Sequence, residues 1–83
     1  MCIICQTKDI KELEGLNKLN CTGCTKLTVI PNIKGIKELD CSCCYNLTVI
    51  PKINGLEELD CSYCSKLTVI PNIKGLKILY CYD

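Results

Sequence analysis

The sequence contains no histidine, arginine, tryptophan, phenylalanine or alanine. Without histidine, catalytic triads that use an imidazole base and metal sites that use imidazole ligands are excluded. The chain also has no P-loop, no nucleophile elbow and no glycine pattern typical of dinucleotide binding. We therefore expect a protein without enzymatic activity.

An excess of charge and long apolar runs are also missing. Ten lysines and nine acidic residues are interspersed and leave a net charge of +1, which does not favour binding to nucleic acid or to a membrane surface. No segment approaches the 18 apolar residues of a membrane span, and the start "MCIICQTKDIKELEG" lacks the basic region of a signal peptide. We expect a cytoplasmic protein that binds neither nucleic acid nor membrane.

The sequence is rich in cysteine and in aliphatic residues, and both recur with a fixed period. Residues 16–35, 36–55 and 56–75 align without gaps at a spacing of 20 residues. Residues 1–15 are predicted to form a degenerate half-repeat or N-terminal cap, and residues 76–83 begin a fourth repeat with an uncapped terminal strand. The whole chain is therefore predicted to be a single domain built of repeats.

The repeat unit is L-x-x-L-x-C-x-x-C-x-x-L-x-x-I-P-x-I-x-G. Its apolar spacing does not follow a 3.6-residue period, and one proline and one glycine per unit interrupt any long helix. The L-x-C step places Leu39 and Cys41 on one side of a short strand and Asp40 on the other. The pattern predicts one coil per repeat, with the strands stacked in parallel.

This unit resembles the leucine-rich repeat, whose core L-x-x-L-x-L-x-x-N/C-x-L it matches with cysteine at positions six and nine, from about Ile10 to Asp83. Its "LTVIP" segment is similar to bacterial effector repeats, and its paired cysteines resemble repeats of giant amoebal viruses, which would place the protein in the host cytoplasm. The resemblance implies a short right-handed solenoid of the α/β-solenoid class that is mostly β. Its parallel strands would line the concave side, with extended, polyproline-like or 3-10 return segments on the convex side and little or no α-helix.

The resemblance also assigns the cysteines. Positions six and nine of a leucine-rich repeat face inward, so most thiols are expected to act as small buried hydrophobes. Cys43 alone leaves this pattern and is predicted to be a reactive surface thiol. The two expected buried columns are Cys21, Cys41, Cys61 and Cys81, and Cys24, Cys44 and Cys64.

The cysteine pairs allow another hypothesis, a structural zinc module. The spacing C-x2-C-x16-C-x2-C, from Cys21 to Cys44 and from Cys41 to Cys64, is typical of four-thiolate sites. A 20-residue repeat produces that spacing by itself, and three pairs leave one pair over unless Cys2 and Cys5 supply the fourth. We therefore predict no metal and no other cofactor, with zinc binding as the third functional hypothesis.

The leading hypothesis is a protein-interaction module. Leucine-rich repeats generally bind proteins through the concave strand face, and here that face is acidic in the middle and aromatic at its C-terminal end, which favours a basic partner. The predicted contact residues are Glu38, Asp40, Glu58, Asp60, Ile78, Tyr80 and Tyr82.

The alternative hypothesis is self-association through uncapped ends of the solenoid. The last predicted strand has no successor, and bare strand edges pair readily with other strands. Such contacts would give a dimer or a head-to-tail filament. The edge consists of Leu76, Leu79, Tyr80, Cys81 and Tyr82.

Overall fold

The computed structural model describes residues 3–6 and 9–82, except for the side chains of Ile3 and Ile10. Cys2 and Asp83 lie outside the described residues. The chain is mostly sheet with very little helix, as expected from the proline and glycine in every repeat. Its elements are a short helix α1 (Ile3–Gln6), a 3-10 helix (Ile10–Leu13), and strands β1 (Lys18–Asn20), β2 (Glu38–Asp40), β3 (Glu58–Asp60) and β4 (Ile78–Tyr80).

The four strands form one parallel sheet in the order β1-β2-β3-β4. Leu19 pairs with Leu39, Leu39 with Leu59, and Leu59 with Leu79, so neighbouring strands are offset by 20 residues. The period of the sequence is therefore also the register of the sheet. The prediction of short strands stacked in parallel is confirmed.

Each of the first three strands ends in a turn held by its own last side chain. The Oδ1 atoms of Asn20, Asp40 and Asp60 accept a hydrogen bond from the backbone N–H two residues later, at 2.9, 3.1 and 3.0 Å. An Asn or Asp that bonds the backbone in this way offers an alternative to continued strand pairing. In β1, β2 and β3, this contact marks the change from strand to turn.

The same turn requires a left-handed backbone three residues after the Asn or Asp. Gly23 adopts this conformation in the first full repeat with φ of 74°, and its counterparts Cys43 and Tyr63 adopt it with φ of 59° and 61°. A residue with a Cβ atom is strained in this region, whereas glycine is not. The second and third repeats therefore contain a local strain that the first repeat avoids.

The return segments run without helix between the turns. Val29 and Val49 form an isolated parallel bridge, and the N–H of Thr48 donates to the carbonyl of Thr28 at 2.8 Å. Later, Leu56 N–H donates to Ile53 O at 3.2 Å, closing a turn whose third residue, Gly55, has φ of 88°. Glycine permits that positive φ and lets the chain enter the next strand.

The two ends of the sheet differ in burial. At the β1 end, Leu19 and Cys21 are 4% and 1% exposed, and Ile4 and Cys5 of the N-terminal segment pack against the core. At the β4 end Leu79 is 41% exposed. The N-terminal segment therefore covers the β1 end of the sheet, whereas the β4 end is more exposed.

The same difference corrects one of the predicted cysteine columns. Cys21, Cys41 and Cys61 are buried as expected, but Cys81 is exposed. A side chain in this column is covered by the repeats on both sides of it. Within the described residues, no further coil covers β4, so the column ends at Cys61.

Candidate interaction face and cysteine columns

The outward side of the sheet forms a shallow groove that is open to solvent. It is lined by the strand residues of β1, β2 and β3 and by Tyr80 of β4. Of the seven predicted contact residues, Glu38, Asp40, Glu58, Asp60 and Tyr80 line this groove, whereas Ile78 and Tyr82 lie outside its lining. The parallel register brings these five residues together although they span more than 40 positions of the chain.

The first row of the groove runs from Lys18 through Glu38 to Glu58. The Nζ atom of Lys18 lies 3.4 Å from Oε2 of Glu38. A hydrogen bond with the Glu38 side chain raises the pKa of the Glu58 carboxyl group, and partial desolvation and the charge of Glu38 act in the same direction. Lys18 opposes this shift. Among the described residues, Lys18 is the only lysine in an ion pair with either carboxyl group, so a second cation placed beside Glu58 would be stabilised there.

The second row contains Asp40 and Asp60, which also have a structural role. One oxygen of each carboxylate accepts the turn hydrogen bond, and the Ser42 hydroxyl also donates to Oδ1 of Asp40 at 2.7 Å. A hydrogen-bonded carboxylate is less available to a partner. The recurring D-x-S spacing in the sequence indicates this turn, because Asp and Asn side chains commonly accept a hydrogen bond from the backbone N–H two residues later.

The aromatic end of the face consists of Tyr80 and Tyr82, which are 43% and 65% exposed. Their ring centroids are 6.5 Å apart, and the rings are inclined by 35°. Tyr80 replaces the Asn or Asp of the earlier repeats and cannot accept the turn hydrogen bond. The N–H of Tyr82 instead donates to the hydroxyl of Ser62 in the preceding repeat at 3.2 Å.

The ninth-position thiols connect successive repeats. The thiol of Cys44 donates to the carbonyl oxygen of Cys21 at 3.0 Å, and the thiol of Cys64 donates to that of Cys41 at 3.0 Å. Each bond runs from one repeat to the turn of the repeat before it. These cysteines are therefore both small hydrophobes and weak hydrogen-bond donors.

Burial makes the inner thiols poor nucleophiles. Desolvation and the neighbouring thiols Cys64, Cys61, Cys44 and Cys21 raise the pKa of Cys41. Desolvation, followed by the proximity of Cys64, raises the pKa of Cys61 to about 11. Because the thiolate is the reactive form of cysteine, both side chains are unreactive at neutral pH.

The prediction that Cys43 alone points outward is wrong. Cys43 is half-buried in its left-handed turn, whereas Cys81 is exposed. The charge of Cys43 and a hydrogen bond with it raise the pKa of Tyr45, so the Cys43 thiol is close to an aromatic hydroxyl. Cys81 is the more accessible of the two thiols because no coil covers the last strand within the described chain.

The N-terminal segment brings Cys5 close to the cysteine columns. Its Sγ atom lies 3.5 Å from Sγ of Cys24. Among the described residues, no group of three or more Cys, Asp or Glu side chains is arranged to hold a metal ion. The four-thiolate arrangement that includes Cys2 involves a residue outside the described part of the chain.

A second groove, which the repeat pattern did not predict, lies at the turn edge of the second and third repeats. It is lined by Tyr45, Tyr63, Cys64, Ser65 and Leu67. Both tyrosines are 51% exposed. Tyr45 and Tyr63 occupy different positions of their repeats, so the 20-residue alignment of the repeats does not predict that they lie close together.

Comparisons of this chain with protein-family models, with curated proteins and with solved structures find no match. Within residues 3–6 and 9–82, neither helix is long and apolar enough to cross a membrane.

Proposed function

We propose that this chain is a leucine-rich repeat solenoid that acts without enzymatic activity and binds a protein through its strand face. Support comes from the 20-residue register of four parallel strands and from the inward-facing cysteines that connect the repeats. The single observation that carries the binding proposal is the groove in which the Glu38 and Glu58 carboxyl groups lie on the same face as an exposed tyrosine.

The partner that best fits this groove is a basic peptide segment. A lysine or arginine side chain beside Glu58 would supply a second cation to the Glu38–Glu58 pair, in addition to Lys18. A cation beside Glu58 would lower the pKa of this carboxyl group, which the neighbouring Glu38 side chain raises in the free protein. Tyr80 at the end of the groove offers an aromatic face, which attracts cationic groups.

Binding of a fluorescent deca-lysine peptide, measured by anisotropy at low ionic strength, tests this proposal. The protein has a net charge of +1, so overall attraction cannot explain affinity for a polycation, and binding would report the local acidic face. We expect saturable binding that weakens as salt is added. We expect Glu58→Lys to weaken it at least about tenfold, which corresponds to about 1.4 kcal/mol.

Glu12→Lys is the matched control, because it changes the net charge by the same amount at an exposed position of the 3-10 helix away from the groove. We expect this control to bind nearly as well as the wild-type chain. Equal losses in the two variants, or equally tight binding of a deca-glutamate peptide, would contradict the proposal.

A further inference from the structure

The outer edge of β4 carries backbone groups that lack a partner strand within the described residues. Backbone hydrogen bonds between β3 and the last strand involve Ile78, Tyr80 and Tyr82, at 3.1, 2.9 and 2.6 Å. Successive residues of a strand direct their N–H and C=O groups to opposite edges. The polar backbone groups of Leu79 and Cys81 therefore point to the outer edge.

The side chains of this edge do not protect it. The run from Ile78 to Tyr82 has no charged residue, whereas β1, β2 and β3 each contain at least one. Exposed edges are usually blocked by charges, proline or a covering element, and an uncharged edge pairs readily with another strand. The apolar residues Ile70 and Leu79 are 39% and 41% exposed near the same end.

The opposite end of the molecule is not a suitable partner for this edge. Ile4 and Cys5 pack against the core there, and Leu19 and Cys21 are almost completely buried. A head-to-tail contact would have to displace the N-terminal segment before β1 could pair. A contact between two β4 ends requires no such displacement, and an uncharged surface can lie against its own copy without repulsion.

We propose that a second copy of this chain covers the edge, in a two-fold dimer whose two β4 strands pair in antiparallel fashion about Tyr80. Leu79 and the partner's Cys81 exchange two hydrogen bonds, and the two-fold axis repeats this exchange to give four. This inference concerns the end of the sheet and does not depend on the binding of a basic partner by the groove.

The proposed register follows from the alternation along β4. Because the backbone groups of Tyr80 bond to β3, Tyr80 and the partner's Tyr80 form a non-hydrogen-bonded pair, with Cα atoms about 4.5 Å apart and side chains in contact. Ile78 then faces the partner's Tyr82 on the same side of the sheet. This register places the whole uncharged run against its own copy and joins the two sheets into one of eight strands.

Sedimentation equilibrium under reducing conditions tests the assembly itself. Edge pairing of this size lies near the small end of specific interfaces, so we expect reversible association between about 1 µM and 1 mM. The average mass should rise from 9.3 kDa to a plateau at twice that value. A mass that stays at one copy overturns the proposal, and so does a mass that keeps growing beyond two copies, which would indicate a filament.

A charge at the two-fold axis tests the location of the contact. Tyr80→Lys would place two ammonium groups opposite each other, so we expect dimerisation to weaken at least tenfold. Tyr63→Lys is the matched control, since Tyr63 is 51% exposed against 43% for Tyr80 and lies on β3's turn, and we expect its dimer to be unchanged. Circular dichroism verifies that both variants are folded, and equal effects of the two substitutions overturn the proposed contact.

Disulfide trapping tests the register and does not depend on affinity. In a Cys43→Ser, Cys81→Ser background, Tyr80→Cys would place two thiols opposite each other, within reach of a disulfide bond. Oxidised glutathione accepts the two electrons and the two protons that these thiols lose, giving two molecules of reduced glutathione. We expect a covalent dimer with Tyr80→Cys and none with Ile78→Cys, whose counterpart is the partner's Tyr82. Equal trapping at both positions, or trapping only at Ile78→Cys, overturns the register.

Discussion

Replacing Leu39 or Leu79 by alanine compares the packing in the middle of the sheet with the packing at its end. Leu39 and Leu79 occupy the same position of their repeats, but Leu39 is 2% exposed and Leu79 is 41% exposed. Leu39→Ala removes three buried carbon atoms, worth about 0.8 kcal/mol each, and leaves a cavity between Leu19 and Leu59, so we expect a loss of about 3 kcal/mol.

In Leu79→Ala only about three-fifths of the side chain is buried, so only that fraction of the free energy of burial is lost. The solvent-exposed side of Leu79 leaves no closed cavity, and we therefore expect a loss of about 1.5 kcal/mol. Urea unfolding followed by circular dichroism measures both losses, with reducing agent present to keep the thiols from oxidising. The protein concentration must be low enough that dimerisation does not stabilise the β4 end. A domain of this length has a free energy of unfolding of about 4–12 kcal/mol, so both losses are measurable.

Equal losses in the two variants would refute the reasoning, because they would mean that the β4 end is covered in the isolated chain. A change in the urea dependence of the unfolding free energy would indicate a different unfolded or native state and not a simple loss of packing. Repeating the pair at high concentration gives a further comparison. The proposed dimer predicts that the Leu79→Ala loss then increases, whereas the Leu39→Ala loss does not.

Four further predictions concern the turns and the thiols. Asp40→Ala should destabilise the fold by about 1 kcal/mol, whereas Asp40→Asn, which keeps the accepting oxygen, should be nearly neutral; equal losses in urea unfolding would argue against the turn contact. Tyr63→Gly should stabilise by about 0.5–1 kcal/mol, because glycine relieves the left-handed strain at some entropic cost, and a measured loss would contradict that balance. The pKa of Cys61 is raised from 9.0 to about 11, so its contribution to stability is complete below pH 9 and is lost as the pH rises from 9 to 11. Urea unfolding at about pH 8 and pH 10.5 measures this loss, and Cys61→Ser should reduce it. In native protein, iodoacetamide should modify Cys81 well before Cys61, as peptide mass mapping would show.

The repeat pattern predicted much of the fold because its information is local and recurs. Leu39 and Cys41 alternate with Asp40 in the sequence, and the side of the strand that each faces follows from the geometry of any strand. One such strand every 20 residues leads to a parallel stack, because each unit is too short to bury its apolar face without its neighbours. The left-handed position in the turn was not predicted. Only the first repeat has a glycine there, Gly23, whereas Cys43 and Tyr63 are residue types that rarely adopt a positive φ.

The candidate face was predicted as a set of residues, but their individual roles were not. Asp40 and Glu58 look alike as acidic residues on a strand. In the structure, Asp40 is bonded to its own turn, whereas Glu58 shares its environment with the Glu38 carboxyl group. The difference depends on the length of each side chain and on the groups within its reach. The position of a residue in its repeat does not reveal those groups.

By itself, the sequence determined the period of 20, the inward and outward sides of each strand, the scarcity of helix and the lack of histidine chemistry. Only the tertiary structure decided that the N-terminal segment covers the β1 end, that Cys81 is exposed although Cys21, Cys41 and Cys61 are buried, and that Tyr80 joins the acidic groove. The physical reason is that alternation along a strand is a local property of the chain, whereas burial depends on what lies on both sides of a repeat. Copies of one sequence pattern therefore have different surroundings at the middle and at the two ends of the sheet.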